Sequence, residues 1–289
     1  MGGGSYSSSS RSMRAEYEGY ATKSATEIFS RNLNSEMSPN GVDIRESRDS
    51  SEHPNSVAII IALDVTGSMG SIPLYLVREG LPAIMQKIID SGIKDPQVLF
   101  LAIGDHECDR VPLQVGQFES SDALLDHWLT KVYIEGGGGG NEGESYSLAH
   151  YFAANHTSID CFEKRGQKGF LFTIGDEPTL QHYPSYAIKK IMGSAEAKEY
   201  DSLELLEAAR KSYNVYHLHL KQGSNGRSER VMDGWKQLIG NDLIIVEDKY
   251  SIAQTIEKII VESVNKKEIF TNSAEPASVT LDDSSDVML

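Results

Sequence analysis

The chain has 289 residues, enough for one generous α/β domain with tails or for two small domains, and its 39% hydrophobic content allows a full core. A formal net charge of −15 argues against a nucleic-acid partner, because a phosphate backbone is repelled unless a basic stripe is present, and the sequence has none. The two cysteines, Cys108 and Cys161, stand alone, so they form neither a metal-spaced pair nor a disulfide framework, which fits a reducing compartment. No apolar signal region opens the chain and no stretch is long enough to span a bilayer; Tyr6 also occupies the position where a myristoylation motif needs Ser or Thr. The expectation is a cytoplasmic protein without a membrane span.

Residues 1–55 are polar, Ser-rich and weakly periodic, and read as a flexible N-terminal arm in which Tyr17, Tyr20, Ala21, Ile28 and Phe29 could line one short helix. A folded domain is expected over 56–268. Val57 to Leu63 is a continuous apolar run, as in a parallel strand covered on both faces. Pro73 to Ser91 carries apolar residues at helical spacing and Gly92 closes it. Val98 to Ile103 is a second buried strand, Leu113 to Phe118 a short edge strand, and Asp122 to Tyr133 a helix with an acidic first turn. The run Gly136 to Gly140 breaks the chain before a helix from about Glu144 to Ala154. Phe170 to Ile174 is a strand, Leu203 to Tyr213 a helix, Val215 to Leu220 a strand, Glu229 to Ile239 a helix, Leu243 to Val246 a strand, and Ser251 to Lys266 the last helix. Residues 269–289, with Pro276, Asp282, Asp283 and Asp286, read as a disordered acidic tail. Strand–helix alternation predicts a doubly wound, mostly parallel α/β sheet with helices on both faces, Rossmann-like, whose ligands bind beyond the carboxyl ends of the strands.

The residues in those places are Asp64-Val65-Thr66-Gly67-Ser68-Met69 after the first strand, Gly104-Asp105-His106-Glu107 after the second, and Gly175-Asp176-Glu177 after a later one. Asn141, Glu142 and Glu144 precede the middle helix. Carboxylates and hydroxyls make a hard-oxygen donor set, suited to Mg2+, Mn2+ or Ca2+ and poorly to zinc. Gly67 permits a tight curve that turns the oxygens of Asp64, Thr66 and Ser68 toward one point, and Gly70 a close approach to the next helix.

Asp-x-Thr-Gly-Ser-Met after an apolar strand, with a later strand ending at Asp176, resembles the metal-ion-dependent adhesion site of von Willebrand factor A domains over about Val57 to Lys266. The resemblance implies ligation by Ser68 and Thr66, with direct or water-bridged roles for Asp64 and Asp176. The loop Gly136 to Glu144 and the pair Asp105-His106 look more like intracellular bacterial members than adhesion receptors, and that match puts Asn141 at the ligand position of the loop, with ligation by Asn141, by Glu142 or by neither left open. The implied function is a protein-binding module: a partner carboxylate completes the shell of the cation, and the partner is of the kind of a MoxR-type AAA+ ATPase or another component of a multi-protein system. No catalysis is expected.

Other readings of the same residues stand beside these. Thr66 and Ser68 can cap the following helix, Asp176 can be a turn residue, and Asp105 is expected to support the site rather than to ligate. The glycine run lacks the Lys of a phosphate loop and carries Glu142 and Glu144, which repel phosphate. His217 and His219 share a strand face, where packed histidines are commoner than metal ligands. An alternative is a Mg2+-dependent phosphohydrolase resembling the haloacid dehalogenase type, with Asp64 as nucleophile and Gly104-Asp105 through Asp109 as the later acidic motif; Thr66 stands where that family needs a second Asp.

Overall fold

The computed structural model describes residues 4–93, 95–134, 141 and 143–272. Among the described residues the central sheet has six strands: β1 (Val57–Asp64), β2 (Pro96–Ile103), β3 (Leu113–Val115), β4 (Gly169–Gly175), β5 (Tyr213–Leu220) and β6 (Leu243–Val246). Their order is β6-β5-β4-β1-β2-β3, all parallel except β3, which runs antiparallel to β2. The chain leaves central β1 for β2 on one side and later returns to β4 on the other, so the connections diverge at the carboxyl end of β1.

β1 is buried at every position because both faces of the sheet are covered. Ile59, Ile61 and Leu63 face one core and Ala58, Ile60 and Ala62 the other. The second core is closed by α4 (Ser147–Asn155), α5 (Ser185–Met192), α6 (Ser202–Ala209) and α7 (Glu229–Ile239). The first is closed by α1 (Ser8–Tyr17), α2 (Leu81–Asp90), α3 (Asp122–Thr130) and α8 (Ile252–Asn272). No described helix is long and apolar enough to cross a membrane.

Several elements depart from the sequence reading, α1 among them: the helix expected to carry Tyr17 to Phe29 is instead α1 followed by a separate turn of helix at Ala25–Ile28. α5 escaped it, although Ala187, Ile188, Ile191 and Met192 recur at helical spacing, Pro184 precedes the helix and Gly193 at φ 85° ends it. The helix expected from Glu144 starts only at Ser147, because the backbone at Glu144 is extended and bridges Thr179. The helix expected from Pro73 to Ser91 is interrupted: an α-turn (Ile72–Tyr75) passes into a π-helical stretch (Leu76–Gly80) before α2. Pro82 has no N–H to give the carbonyl four residues back, and Leu81 bonds the carbonyl of Leu76 five residues back instead. Residues 273–289, where most of the acidic tail was expected, lie outside the described residues.

The segment set apart as an N-terminal arm supplies Tyr20, Ile28, Phe29 and Met37 to the core. α1 is fixed by charge. Arg11 is 3% exposed; its Nε lies 2.7 Å from Asp126 Oδ1 on α3, and its Nη2 donates to the carbonyl of Val77 at 2.6 Å, within the π-helical stretch. Arg14 pairs with Asp122 and Asp126, and Arg78 donates back to the carbonyls of Tyr20 and Lys23. Removing Arg11 leaves buried Asp126 with Arg14 at 3.2 Å as its remaining partner and takes the side-chain donor from the Val77 carbonyl. Arg11→Met is therefore expected to destabilise the protein by about 1–3 kcal/mol, and Arg11→Met with Asp126→Met to recover part of it. Urea unfolding of both variants measures this; a single variant within about 1 kcal/mol of the parent refutes the pairing.

Candidate metal centre

The carboxyl end of β1 continues one step past the strand, where the Val65 N–H still donates to the Ile103 carbonyl at 3.1 Å. The chain then curls through a 3-10 turn (Gly67–Met69) and reverses at Gly70, whose φ is 51°. Nothing lies within 4 Å of where a Cβ would stand on Gly70, so this glycine serves a left-handed backbone rather than the close helix approach expected from the sequence.

The turn brings four of the expected residues together as two hydroxyl–carboxylate pairs whose hydroxyl oxygens face each other. Asp64 Oδ1 accepts from the Thr66 N–H at 2.9 Å and from Thr66 Oγ1 at 2.6 Å. Thr66 Oγ1 lies 3.3 Å from Ser68 Oγ, and Ser68 Oγ donates to Asp176 Oδ1 at 2.8 Å. Asp64 and Asp176 are wholly buried and Thr66 is 4% exposed. β1 and β4 are neighbours in the sheet, with Leu63 opposite Ile174, which is why residues 112 apart in sequence meet here.

Two further hydrogen bonds hold the outer oxygens of the two carboxylates, and neither was anticipated. Tyr146, at the threshold of α4, donates its hydroxyl to Asp64 Oδ2 at 2.7 Å. The Asn225 N–H donates to Asp176 Oδ2 at 2.7 Å, from the loop after β5, where the N–H and Oγ of Ser224 both reach the Ser68 carbonyl at 3.3 Å. The signal for these contacts was the glycines. A Cβ on Gly175 would stand 1.8 Å from the Tyr146 hydroxyl oxygen, and one on Gly223 2.4 Å from Asp176 Cγ. Tyr146 is held edge-on against Trp235 and His217, and Trp235 Nε1 donates to the Glu177 carbonyl at 2.9 Å.

The other expected residues fall around these four. Asn141 donates its amide to Glu107 Oε2 at 2.7 Å and makes no hydrogen bond to Asp64, Thr66, Ser68 or Asp176. Gly136 to Gly140 and Glu142 lie outside the described residues. Asp105 Oδ1 accepts from the Glu107 N–H at 2.8 Å. His217 and His219 are packed: the His217 ring stacks on Trp235 at 3.5 Å with its Nδ1 2.9 Å from Thr173 Oγ1, and His219 Nε2 lies 3.0 Å from the Gly226 carbonyl.

Burial pushes the Asp64 carboxyl up to about 7; Thr66 and Tyr146 pull it down by hydrogen bonding and Asp176 adds to the rise. Glu144, 7% exposed, is pushed up to about 10 by burial and then by Asp64, Asp109, Asp105 and Glu177. Among the described residues no three His, Cys, Asp or Glu side chains are arranged to hold a metal by themselves. Two carboxylates each bonded by a hydroxyl, the two hydroxyl oxygens 3.3 Å apart, with buried carboxylate oxygens on Glu144 and Asp105 that have no hydrogen-bond partner, nonetheless fit a hard divalent cation: its charge would offset the burial that raises Asp64.

No protein-family model matches the chain, and no curated protein matches it. Among solved structures, a pilus adhesin, SpaC from Lactobacillus rhamnosus GG in its open conformation, is similar over 77% of this chain and 31% of its own length, at 9% identity and a TM-score of 0.48. Proximal thread matrix protein 1 from the mussel byssus is similar over 72% of this chain and 48% of its own, at 10% identity and a TM-score of 0.45. The conserved hypothetical protein BatB from Bacteroides thetaiotaomicron is similar over 72% and 99%, at 17% identity and a TM-score of 0.44. This chain thus spans about a third of the adhesin and about half of the byssus protein.

In the metal-free protein Asp64 and Glu144 hold a proton more tightly folded than unfolded. The stability they contribute is complete below about pH 4 and is lost as pH rises, through about 7 for Asp64 and about 10 for Glu144. Asp64→Asn is expected to stabilise the metal-free protein at pH 7.5, by up to roughly 4 kcal/mol, and to flatten the fall between pH 4 and 7. Thermal melts in EDTA across that range measure it, and a variant that melts below the parent at pH 7.5 contradicts the assignment.

Proposed function

We propose that the chain is a metal-dependent protein-binding module of von Willebrand factor A type. Ser68 and Thr66 would hold a divalent cation, Mg2+ or else Mn2+ or Ca2+, with Asp64 and Asp176 directly or through water. The observation that carries this reading is the convergence of two carboxylates, Asp64 and Asp176, with two hydroxyl oxygens, Thr66 Oγ1 and Ser68 Oγ, 3.3 Å apart, at the point where the connections of the sheet diverge. When bound, the cation would supply a Lewis-acidic position that accepts one oxygen from a partner protein. The chain's own residues orient the donors and exclude water: Tyr146 and Asn225 fix the outer oxygens of the two carboxylates, and Trp235 holds the loop that carries Asp176 and Glu177. The fully buried, triply hydrogen-bonded Asp64 favours binding over the phosphohydrolase alternative, in which the same carboxylate attacks phosphorus. The resemblance of the motif suggests an AAA+ ATPase of MoxR type as the partner to test first.

Two measurements check the reading. Mg2+ or Mn2+ is expected to raise the melting temperature of the parent and not of Asp64→Asn; at a hundredfold excess over Kd the gain is about 2.7 kcal/mol. Binding to an AAA+ partner is expected to require Mg2+, to be abolished by EDTA, and to fall at least about tenfold, or 1.4 kcal/mol, in Ser68→Ala. Binding that ignores both chelation and Ser68→Ala refutes metal dependence, and Mg2+-dependent phosphatase turnover lost in Asp64→Asn refutes the binding-only reading.

A further inference from the structure

Glu144 is a buried acid at this edge of the sheet whose surroundings do not satisfy it. Its backbone is stapled on both sides: its N–H donates to the Pro178 carbonyl at 2.9 Å, its own carbonyl accepts from Leu180 at 2.9 Å, and the next N–H, of Ser145, donates to the Gly104 carbonyl at 3.0 Å. Glu144 is thus wedged between the loops that follow β2 and β4, two residues before the tyrosine that bonds Asp64. Its side chain is 7% exposed, and Oε2 is buried without a hydrogen-bond partner. Asp105, 3% exposed, has a second such oxygen, Oδ2. The charged groups that act most on Glu144 are all carboxylates: Asp64, Asp109, Asp105 and Glu177. Burying acid among acids with open lone pairs is costly unless a cation joins them.

We propose, building on the metal-binding reading above, that Glu144 rather than Asn141 supplies the remaining protein ligand of the cation, with Asp105 beside it as an acceptor for water on the ion. Asn141 spends its amide on Glu107, whereas Glu144 has a free oxygen, a rigid backbone and three side-chain torsions with which to reach the ion. A consequence concerns the partner. Two carboxylates leave a divalent ion neutral and open to an acidic group, as the sequence reading expected; three leave the loaded site with one net negative charge. The open position then favours a neutral oxygen of the partner, a hydroxyl or a carbonyl, over a carboxylate.

The test uses Mn2+ alone with the full chain. Electron paramagnetic resonance gives affinity and stoichiometry, and water-proton relaxation gives the number of waters on the bound ion. Glu144→Gln is expected to weaken Mn2+ at least about tenfold and to add a water to the ion, Glu144→Asp to fall between it and the parent, and Asn141→Ala to leave both readouts unchanged. Unchanged affinity and water count in Glu144→Gln, in a protein whose Mn2+ binding is lost in Asp64→Asn, overturns the role of Glu144 and leaves the metal centre standing. A parent that binds no Mn2+ overturns both. A loss in Glu144→Gln with no partial rescue by Glu144→Asp marks a structural effect and also overturns the proposal.

Discussion

The architecture turns on one constraint: a carboxylate wholly removed from water at the end of an otherwise apolar central strand. Asp64 is tolerable there only because Thr66 and Tyr146 saturate its oxygens and because the strand end lies where connections diverge and loops from three other strands converge. Asp176 meets the same constraint with Ser68 and the Asn225 N–H. Much of the surrounding structure serves these two groups. Gly175 and Gly223 lack side chains because the Tyr146 hydroxyl and the Asp176 carboxylate fill that space, and Trp235 occupies the second core so as to hold both the Tyr146 ring and the Glu177 carbonyl.

A second fixed point lies on the opposite face. The helix that follows the motif is broken by Pro82 into a π-helical stretch, and the carbonyl of Val77 within it is taken by buried Arg11. Arg11 is balanced in turn by Asp126, so α1, the motif helix and α3 are locked through one guanidinium. The N-terminal segment is thereby coupled to the helix that leaves the Asp64–Met69 turn, and the backbone of that turn rests on charge pairing as well as on apolar packing.

The parallel strands, the doubly wound alternation and the oxygen-rich ends of β1 and β4 were legible in the sequence because each is a local pattern. An apolar run of seven residues followed by Asp-x-Thr-x-Ser declares a strand buried on both faces with polar atoms at its end. α5 was legible in principle, but its eight residues and two lysines hid the spacing. The segment before residue 56 misled because what seats α1 is arginine–carboxylate pairing across more than a hundred residues, and hydrophobic periodicity carries no trace of such pairing.

What the sequence determined by itself was therefore the layered α/β fold and the four oxygen-bearing residues Asp64, Thr66, Ser68 and Asp176, since strand periodicity and turn chemistry are written in neighbouring positions. Only the tertiary structure decided that Tyr146 and Asn225 complete the hydrogen bonding of the two acids, that Asn141 turns to Glu107, and that Glu144 is buried with a carboxylate oxygen that has no hydrogen-bond partner. The physical reason is the same in each case. Burial and hydrogen-bond satisfaction are properties of groups brought together by the folded chain from distant loops, and no local pattern records which of them will meet.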